Sequence, residues 1–374
     1  NEGLGIDTPI QVTASVEGIM TTRAENTEYN LDNFGLFIKD GTGYTSDYAG
    51  ENIKVTGNNT DGWTFSDNKT VLYKGGGQSY YAYAPYKEGH TGESLTFTVD
   101  ADQATNDLQG SDLLYAAGYV DDPTLAITFS HKLSKLTVTL TAEGFAEDEV
   151  SFTGVTLRGT LPTTTLNLTD GTVDTATGTA TDITMCPTGT NNTYECILVP
   201  QTVKYSVVID AKVNNSPKSY VYTPANAYEF KSNNSYTLTL TVRKADEPTA
   251  IEGINVAGWG ENTDLTAGEA IEPYTIEADG SYTVYTAEGL LAWAEAVESN
   301  NSINCTLAAN IDMTEETWQG AKISYSGTFD GNGYTITGLN DCLISSNEGT
   351  VRNLTLVEPD IESTYMHVGA ITGA

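Results

Sequence analysis

Two stretches decide the fold class: Lys135-Leu-Thr-Val-Thr-Leu-Thr141 and, further along, Tyr236-Thr-Leu-Thr-Leu-Thr-Val242. In the first, Leu136, Val138 and Leu140 alternate with threonines; in the second, Leu238, Leu240 and Val242 do the same. A repeat of two puts one set of side chains on a packed face and the other toward solvent. It cannot form the stripe of a helix, whose repeat is 3.6. Working outward, similar runs occur at Phe34–Ile38, Val71–Tyr73, Tyr80–Ala84, Leu95–Val99, Tyr194–Val199 and Val203–Ile209. Between them lie Gly/Asn-rich turn signals such as GTG, GNNTDG, GGGQ, KEGHTG, GTNN, NNSPK and SNNS. They recur at the roughly 8–12-residue interval of β-sandwiches and barrels. The chain reads as all-β.

Its 374 residues suffice for two or three domains. Seventeen Lys and Arg stand against 50 Asp and Glu, a formal net charge of −33, which repels nucleic acid and anionic membranes. A solvated acidic surface accounts for it without a charge-specific partner. No apolar run reaches the roughly 20 residues that cross a bilayer, and the polar opening at Asn1 does not resemble a signal peptide. If the protein is exported, a leader has already been removed or was left off this sequence. Of the four cysteines, Cys186 and Cys196 flank a turn and could face each other across a hairpin, while Cys305 and Cys342 lie near the C-terminus. None has metal-ligand spacing; buried free thiols fit a scaffold of this size better than disulfides.

Pro123, in YVDDP, marks an expected linker between a first and a second sandwich, and the acidic GENTDLTAGEAIEP after Trp259 marks another. The divisions expected are therefore 1–123, 124–262 and 263–374. In the last, Thr286 caps a helix, AEGLLAWAEAVES, with Leu290, Ala294 and Val297 on one face and Glu288 in its first turn. Beyond it, the phrase from Gly327 to Leu339, GTFDGNGYTITGL, is followed at Gly349 by GTVRNLTL, 22 residues after Gly327. That spacing suits a solenoid of stacked coils, here a small right-handed β-helix-like domain. It breaks off at HVGAITGA, so the domain reads as cut short or as needing a partner there.

At the other end, Pro9-Ile-Gln-Val-Thr-Ala-Ser-Val-Glu17 alternates strictly, with Ile10, Val12, Ala14 and Val16 on one side. A polar piece carrying Arg23 follows. A terminal strand tied on through a cleavable loop can be removed, leaving unpaired N–H and C=O groups and apolar pockets for another strand. An ordinary first strand and an ordinary surface arginine satisfy the same pattern.

The chain resembles the fimbrillins, subunits of type V pili of Gram-negative anaerobes. The matching pieces are the N-terminal strand with Thr22-Arg23-Ala24, Phe34–Ile38, Tyr80-Tyr-Ala-Tyr-Ala-Pro85, Ser111-Asp-Leu-Leu-Tyr-Ala116, Phe129-Ser-His-Lys-Leu-Ser-Lys-Leu136, the Tyr236–Val242 strand and Trp259. None is specific alone; their order and spacing are. The resemblance implies two tandem transthyretin-like sandwiches and export as an outer-membrane lipoprotein, with Asn1 just after the lipidated cysteine. It also implies cleavage after Arg23 by a surface arginine-specific protease, freeing the strand of residues 1–23 for donor-strand exchange with other pilin subunits. The final segment is similar to GLUG-containing β-helix modules through GTFDGNGYTITGL, GTVRNLTL and VGAITG. A solenoid in place of a terminal donor strand favours a tip or accessory adhesin over a shaft subunit. The alternative is a non-polymerising cell-surface lipoprotein that binds a host glycan or protein.

Neither reading needs an enzyme or a cofactor. His90, His131 and His367 are far apart in sequence with no G-x-S-x-G elbow, and His131 reads as bonding locally at a strand edge. Asp330-Gly-Asn-Gly-Tyr334 lacks the oxygen ligand a calcium loop needs at its fifth position and reads as a corner turn. Gly75-Gly-Gly-Gln78 lacks the Lys-Ser/Thr of a phosphate loop. No residue qualifies as catalytic or as a metal ligand. In the Tyr80–Tyr86 cluster, alternation places some rings in the core and others outside, where they could stack on sugars or proteins.

Overall fold

The computed structural model describes residues 5–17, 31–41, 43–106, 108–189, 192–224, 226–244, 255–258, 268–314, 316–318, 321–361 and 369–372. The fold is almost entirely β, and the chain divides into two compact units: one of Asn1–Asn215 with Tyr222–Ala270, the other of Ser216–Val221 with Ile271–Ala374.

The first unit opens with eight strands: β1 (Gln11–Val16), β2 (Asn33–Asp40), β3 (Gly50–Asn58), β4 (Gly62–Phe65), β5 (Gln78–Ala84), β6 (Ser94–Thr98), β7 (Leu114–Tyr119) and β8 (Thr124–His131). Seven form one sheet in the order β1-β8-β7-β5-β2-β3-β4. Its neighbours run antiparallel except β1 and β8, which are parallel. The apolar side chains of one face, including Phe34, Leu36, Ile38, Val55, Tyr80, Ala82, Leu125, Ile127 and Phe129, form a single core with Ile10, Val12 and Ala14.

Pro123 is not a domain boundary. The YVDDP turn joins β7 to β8 inside this sheet, with the Asp122 carboxylate accepting the Thr124 N–H at 2.8 Å. Residues 124–131 supply Leu125, Ile127 and Phe129 to the first core. The chain leaves this sheet for the last time at Lys132-Leu133. Period-two alternation marks β8 as a strand but says nothing of its partner, which is 113 residues away.

The second half continues with β9 (Ser134–Glu143), β10 (Val150–Thr160), β11 (Thr163–Asn167), β12 (Thr181–Thr184), β13 (Cys186–Pro187), β14 (Thr193–Leu198), β15 (Gln201–Val203) and β16 (Ser206–Val213). β10 lies between β12 and β16, antiparallel to both. A second sheet runs β13-β14-β9 and on to the Asn234–Arg243 strand, which is parallel to β9 over ten residues. In each half, then, the first strand lies parallel beside one from late in that half. Leu136, Val138 and Leu140 are buried, while the threonines between them face outward in cross-strand pairs. The Thr139–Thr193 and Thr141–Thr241 hydroxyls are 3.2 and 2.9 Å apart. The halves are not strung out as beads, because β6 of the first pairs with β11 of the second.

Three sequence expectations are corrected here. Tyr81 and Tyr83, on the opposite face of β5 from Tyr80, are buried as well. Tyr81 stacks on Phe37 at 4.9 Å, and Tyr44 and His90 close over the same face. Cys186 lies opposite Glu195 rather than Cys196, whose cross-strand neighbour is Leu136; all four cysteines are buried free thiols. The stretch expected as a linker after Trp259 includes a strand, Gly268–Ala270, parallel to Leu240–Val242.

The second unit is held by three ladders of short strands. One takes Tyr274–Ile276, Tyr282–Val284, Cys305–Leu307, Thr328–Asp330 and Thr350–Arg352, parallel from the second strand on. The others pair Ile311–Asp312, Thr335–Thr337 and Thr355–Val357, and Ala321–Tyr325 with Ile344–Asn347, all parallel. Thr328 lies beside Thr350, 22 residues on. Asparagines tie neighbouring strands: Asn304 accepts the Thr328 N–H at 2.8 Å, Asn310 the Thr335 N–H at 3.0 Å, and Asn301 donates to the Ser324 carbonyl at 2.8 Å. The backbones approach closely at the glycines, where a Cβ on Gly349 would fall 2.0 Å from the Gly327 carbonyl oxygen. The Ala287–Ser299 helix, capped by the Thr286 hydroxyl, buries Leu290, Trp293 and Val297 in this core. Trp293 sits edge-on to Tyr325 and Phe329.

Candidate strand-acceptor groove

Residues 9–17 lie inside the first sheet rather than loose on its surface. β1 is the end strand of the order, in register with β8 from Gln11 beside Thr124 to Val16 beside Phe129. The ladder is closed at its ends by the Gln11 N–H on the Pro123 carbonyl and the Glu17 N–H on the Phe129 carbonyl, both 2.8 Å. Ahead of β1 the chain gains a second wall. The Ile10 N–H donates to the Val71 carbonyl, the Asp7 N–H to Tyr73, and the Tyr73 N–H to Thr8, each at 2.9 Å. The Tyr48 hydroxyl also donates to the Asp7 carboxylate at 2.7 Å.

Side chains follow the alternation. Ile10, Val12 and Ala14 are buried, Val16 is half-buried against the same core near Trp63 and Phe65, and Gln11, Thr13 and Ser15 are exposed. Fully burying a Val or Ile side chain is worth about 1.5–3 kcal/mol. The resident strand is therefore held in two ways: by the edge of β8 with the Val71–Tyr73 wall, and by packing in the core with Leu125, Ile127 and Phe129. Ile10, Val12 and Ala14, small or branched and at alternate positions, suit both. Arg23 lies outside the described residues.

At the exit of the groove stands a pair to which the sequence assigns no partner. His131, the last residue of β8, is buried rather than bonding locally at an exposed edge. Its Nδ1 is 2.9 Å from the Asp112 carboxylate, itself buried, and its Nε2 is 3.0 Å from the main-chain carbonyl of Glu17. The phrases Ser111-Asp112 and Phe129-Ser-His131 stand 19 residues apart, and nothing in their spacing announces the contact.

The fimbrillin-like family model matches residues 22–259. The chain belongs to the fimbrillin-like family. The match begins after β1 and covers the first unit's sheets apart from β1 and the Gly268–Ala270 strand. Among solved structures, a candidate cell-adhesion protein from Bacteroides uniformis ATCC 8492 is similar at a TM-score of 0.50 and 21% identity, over 67% of this chain and 98% of that one. A second, from Bacteroides ovatus ATCC 8483, is similar at 0.50 and 19%, over 69% and 97%. At these identities the likeness concerns the fold alone. No curated protein matches the chain. As a fimbrillin-like protein the chain is a fimbrial, cell-surface type, and among its described residues no helix is long and apolar enough to cross a membrane.

Proposed function

We propose that this fimbrillin-like protein is a pilus subunit of tip or accessory type, assembled by donor-strand exchange once a surface arginine-specific protease cuts after Arg23. One observation carries the reading: residues 9–17 occupy the edge of the first sheet as a parallel strand whose buried side chains belong to the core. Cleavage turns an intramolecular strand into a fragment held only by non-covalent bonds. Its local concentration no longer keeps it in place against a competing strand. The rest of the core, eleven of whose buried members lie on β2, β3, β5 and β8, remains to receive the replacement. The energetics are those of sheet completion, a ladder plus alternate pockets, and need no catalysis by this chain.

The second unit supports the accessory role. We read its ladders of short strands, parallel apart from the first pair of the longest, as a β-helical module of GLUG type that follows the first unit. Such a module offers a surface to a host glycan or protein. Export as an outer-membrane lipoprotein, followed by incorporation into fimbriae, completes the route.

The test is to digest the full chain with an arginine-specific protease and follow it by mass spectrometry and gel filtration. Loss of residues 1–23 from a folded remainder is expected, and that remainder should then bind a synthetic peptide of residues 5–17 added as a surrogate donor strand. A fragment that stays bound through gel filtration contradicts the reading.

A further inference from the structure

We infer that His131, oriented by Asp112, is the latch of the groove: its Nε2–H holds the main-chain carbonyl at the position of residue 17, and so sets how readily a strand leaves and how far an incoming strand must reach. The inference deepens the strand-exchange reading and rests on it for the incoming strand. For the resident strand it stands on geometry alone.

A carbonyl oxygen only accepts, so the 3.0 Å contact between Nε2 and Glu17 O requires a proton on that nitrogen. Both oxygens of Asp112 lie within 3.0 Å of Nδ1, which fixes the plane of the ring and aims Nε2 at the strand. Neither side chain can turn to water instead, for the two are 1% and 0% exposed. The remaining main-chain bonds of β1 form a ladder repeating every second residue, and such a ladder does not distinguish a strand that fills the groove from one that stops short. The histidine does. A strand lacking a carbonyl at this place leaves a buried N–H unpaired, a penalty that costs about tenfold in affinity. The position is also telling: the clasp grips the strand at its last ladder residue, the end nearest Arg23, where a freed strand would start to peel.

The experiment has two arms. In the first, the intact full chain is compared with His131→Leu and Asp112→Asn by amide hydrogen exchange, with thermal unfolding as the fold control. Exchange in residues 11–17 should rise about tenfold in both variants while β2, β3 and β5 keep their protection. Unchanged protection of residues 11–17 in a folded His131→Leu chain overturns the latch. Should the variants not fold, ¹⁵N-histidine NMR of the unaltered protein decides. A slowly exchanging Nε2–H on His131 is expected, and its absence overturns the inference. In the second arm, the protease-trimmed protein binds synthetic peptides of residues 5–17 and 5–15. The longer should bind more tightly, and His131→Leu should remove about tenfold of the difference, the rest belonging to Val16 packing and the Glu17 N–H bond to Phe129. Equal affinities in the parent overturn the latch. Binding of neither peptide overturns the exchange reading instead, and leaves the latch to the first arm.

Discussion

The hydroxyl oxygens of Ser15 and Thr128, 113 positions apart in the chain, lie 3.3 Å apart on the outer face of the first sheet. They are direct partners in the β1–β8 register. Replacing both with cysteine places two thiols within disulfide reach on an exposed surface, away from the four buried native thiols. Under oxidising conditions the Ser15→Cys/Thr128→Cys protein should be cut by the protease yet retain its first strand and bind no added strand peptide. Dithiothreitol should release the strand and restore peptide binding. Gel filtration with and without reductant reads the outcome.

Alternation along β1 gives a second expectation. Val12→Asp places a carboxylate among Ile127, Phe129 and their neighbours and should destabilise the first unit by about 3 kcal/mol or more. Thr13→Ala, on the exposed side, should change it by less than about 0.5 kcal/mol. Urea unfolding of the two variants measures the contrast. Equal effects would mean that the strand is not seated by its side chains.

Stacking in the second unit depends on close backbone approach at Gly349. An alanine there meets the Gly327 carbonyl oxygen at 2.0 Å and must push the two strands apart. Gly349→Ala should therefore lower the unfolding temperature of this unit by several degrees, whereas Gly333→Ala, with no atom within 4 Å of its Cβ, should cost only the strain of its left-handed backbone. Calorimetry of both variants distinguishes packing from conformational strain.

Asp330 supplies a pH dependence. It accepts the Asn332 N–H and the Asn353 amide, and pairs with Arg352 at 2.9 Å; these partners hold its carboxyl below the ordinary carboxylate range. A depressed value means that the stabilisation is fully present above the ordinary carboxylate pKa and is lost as the pH falls through the folded one. The second unit should accordingly weaken in acid, and Asp330→Asn should lower its stability at neutral pH while flattening that acid dependence. Thermal melts between about pH 3 and pH 7 provide the comparison.

Much of this architecture was legible before any coordinate. Ile10–Val16, Leu136–Leu140 and Tyr236–Val242 are strands because a two-residue repeat has no other folded use, and Gly327 and Gly349 stand 22 residues apart because successive strands do. What the alternation could not show is partnership. β8 belongs to the first sheet through a parallel neighbour at the far end of that half, so the Pro123 turn looked like a boundary. Tyr81 and Tyr83 looked half-exposed because alternation assumes one wet face, and β5 has none over these residues. The His131–Asp112–Glu17 contact joins three places in the chain with no common motif. Trp293, whose ring contacts Tyr325 and Phe329, lies between the helix positions that the apolar spacing picks out.

The claim on which the account turns is that the slot left by residues 5–17 is refilled by another strand. Amide exchange along β8 tests it most directly, measured in the intact protein, after cleavage with the fragment removed, and after addition of a synthetic peptide of residues 5–17. The account predicts protection over Leu125–Phe129 in the first state, its loss in the second and its recovery in the third. Peptide binding while those amides stay exposed would show that the strand docks on a different surface, and would contradict it.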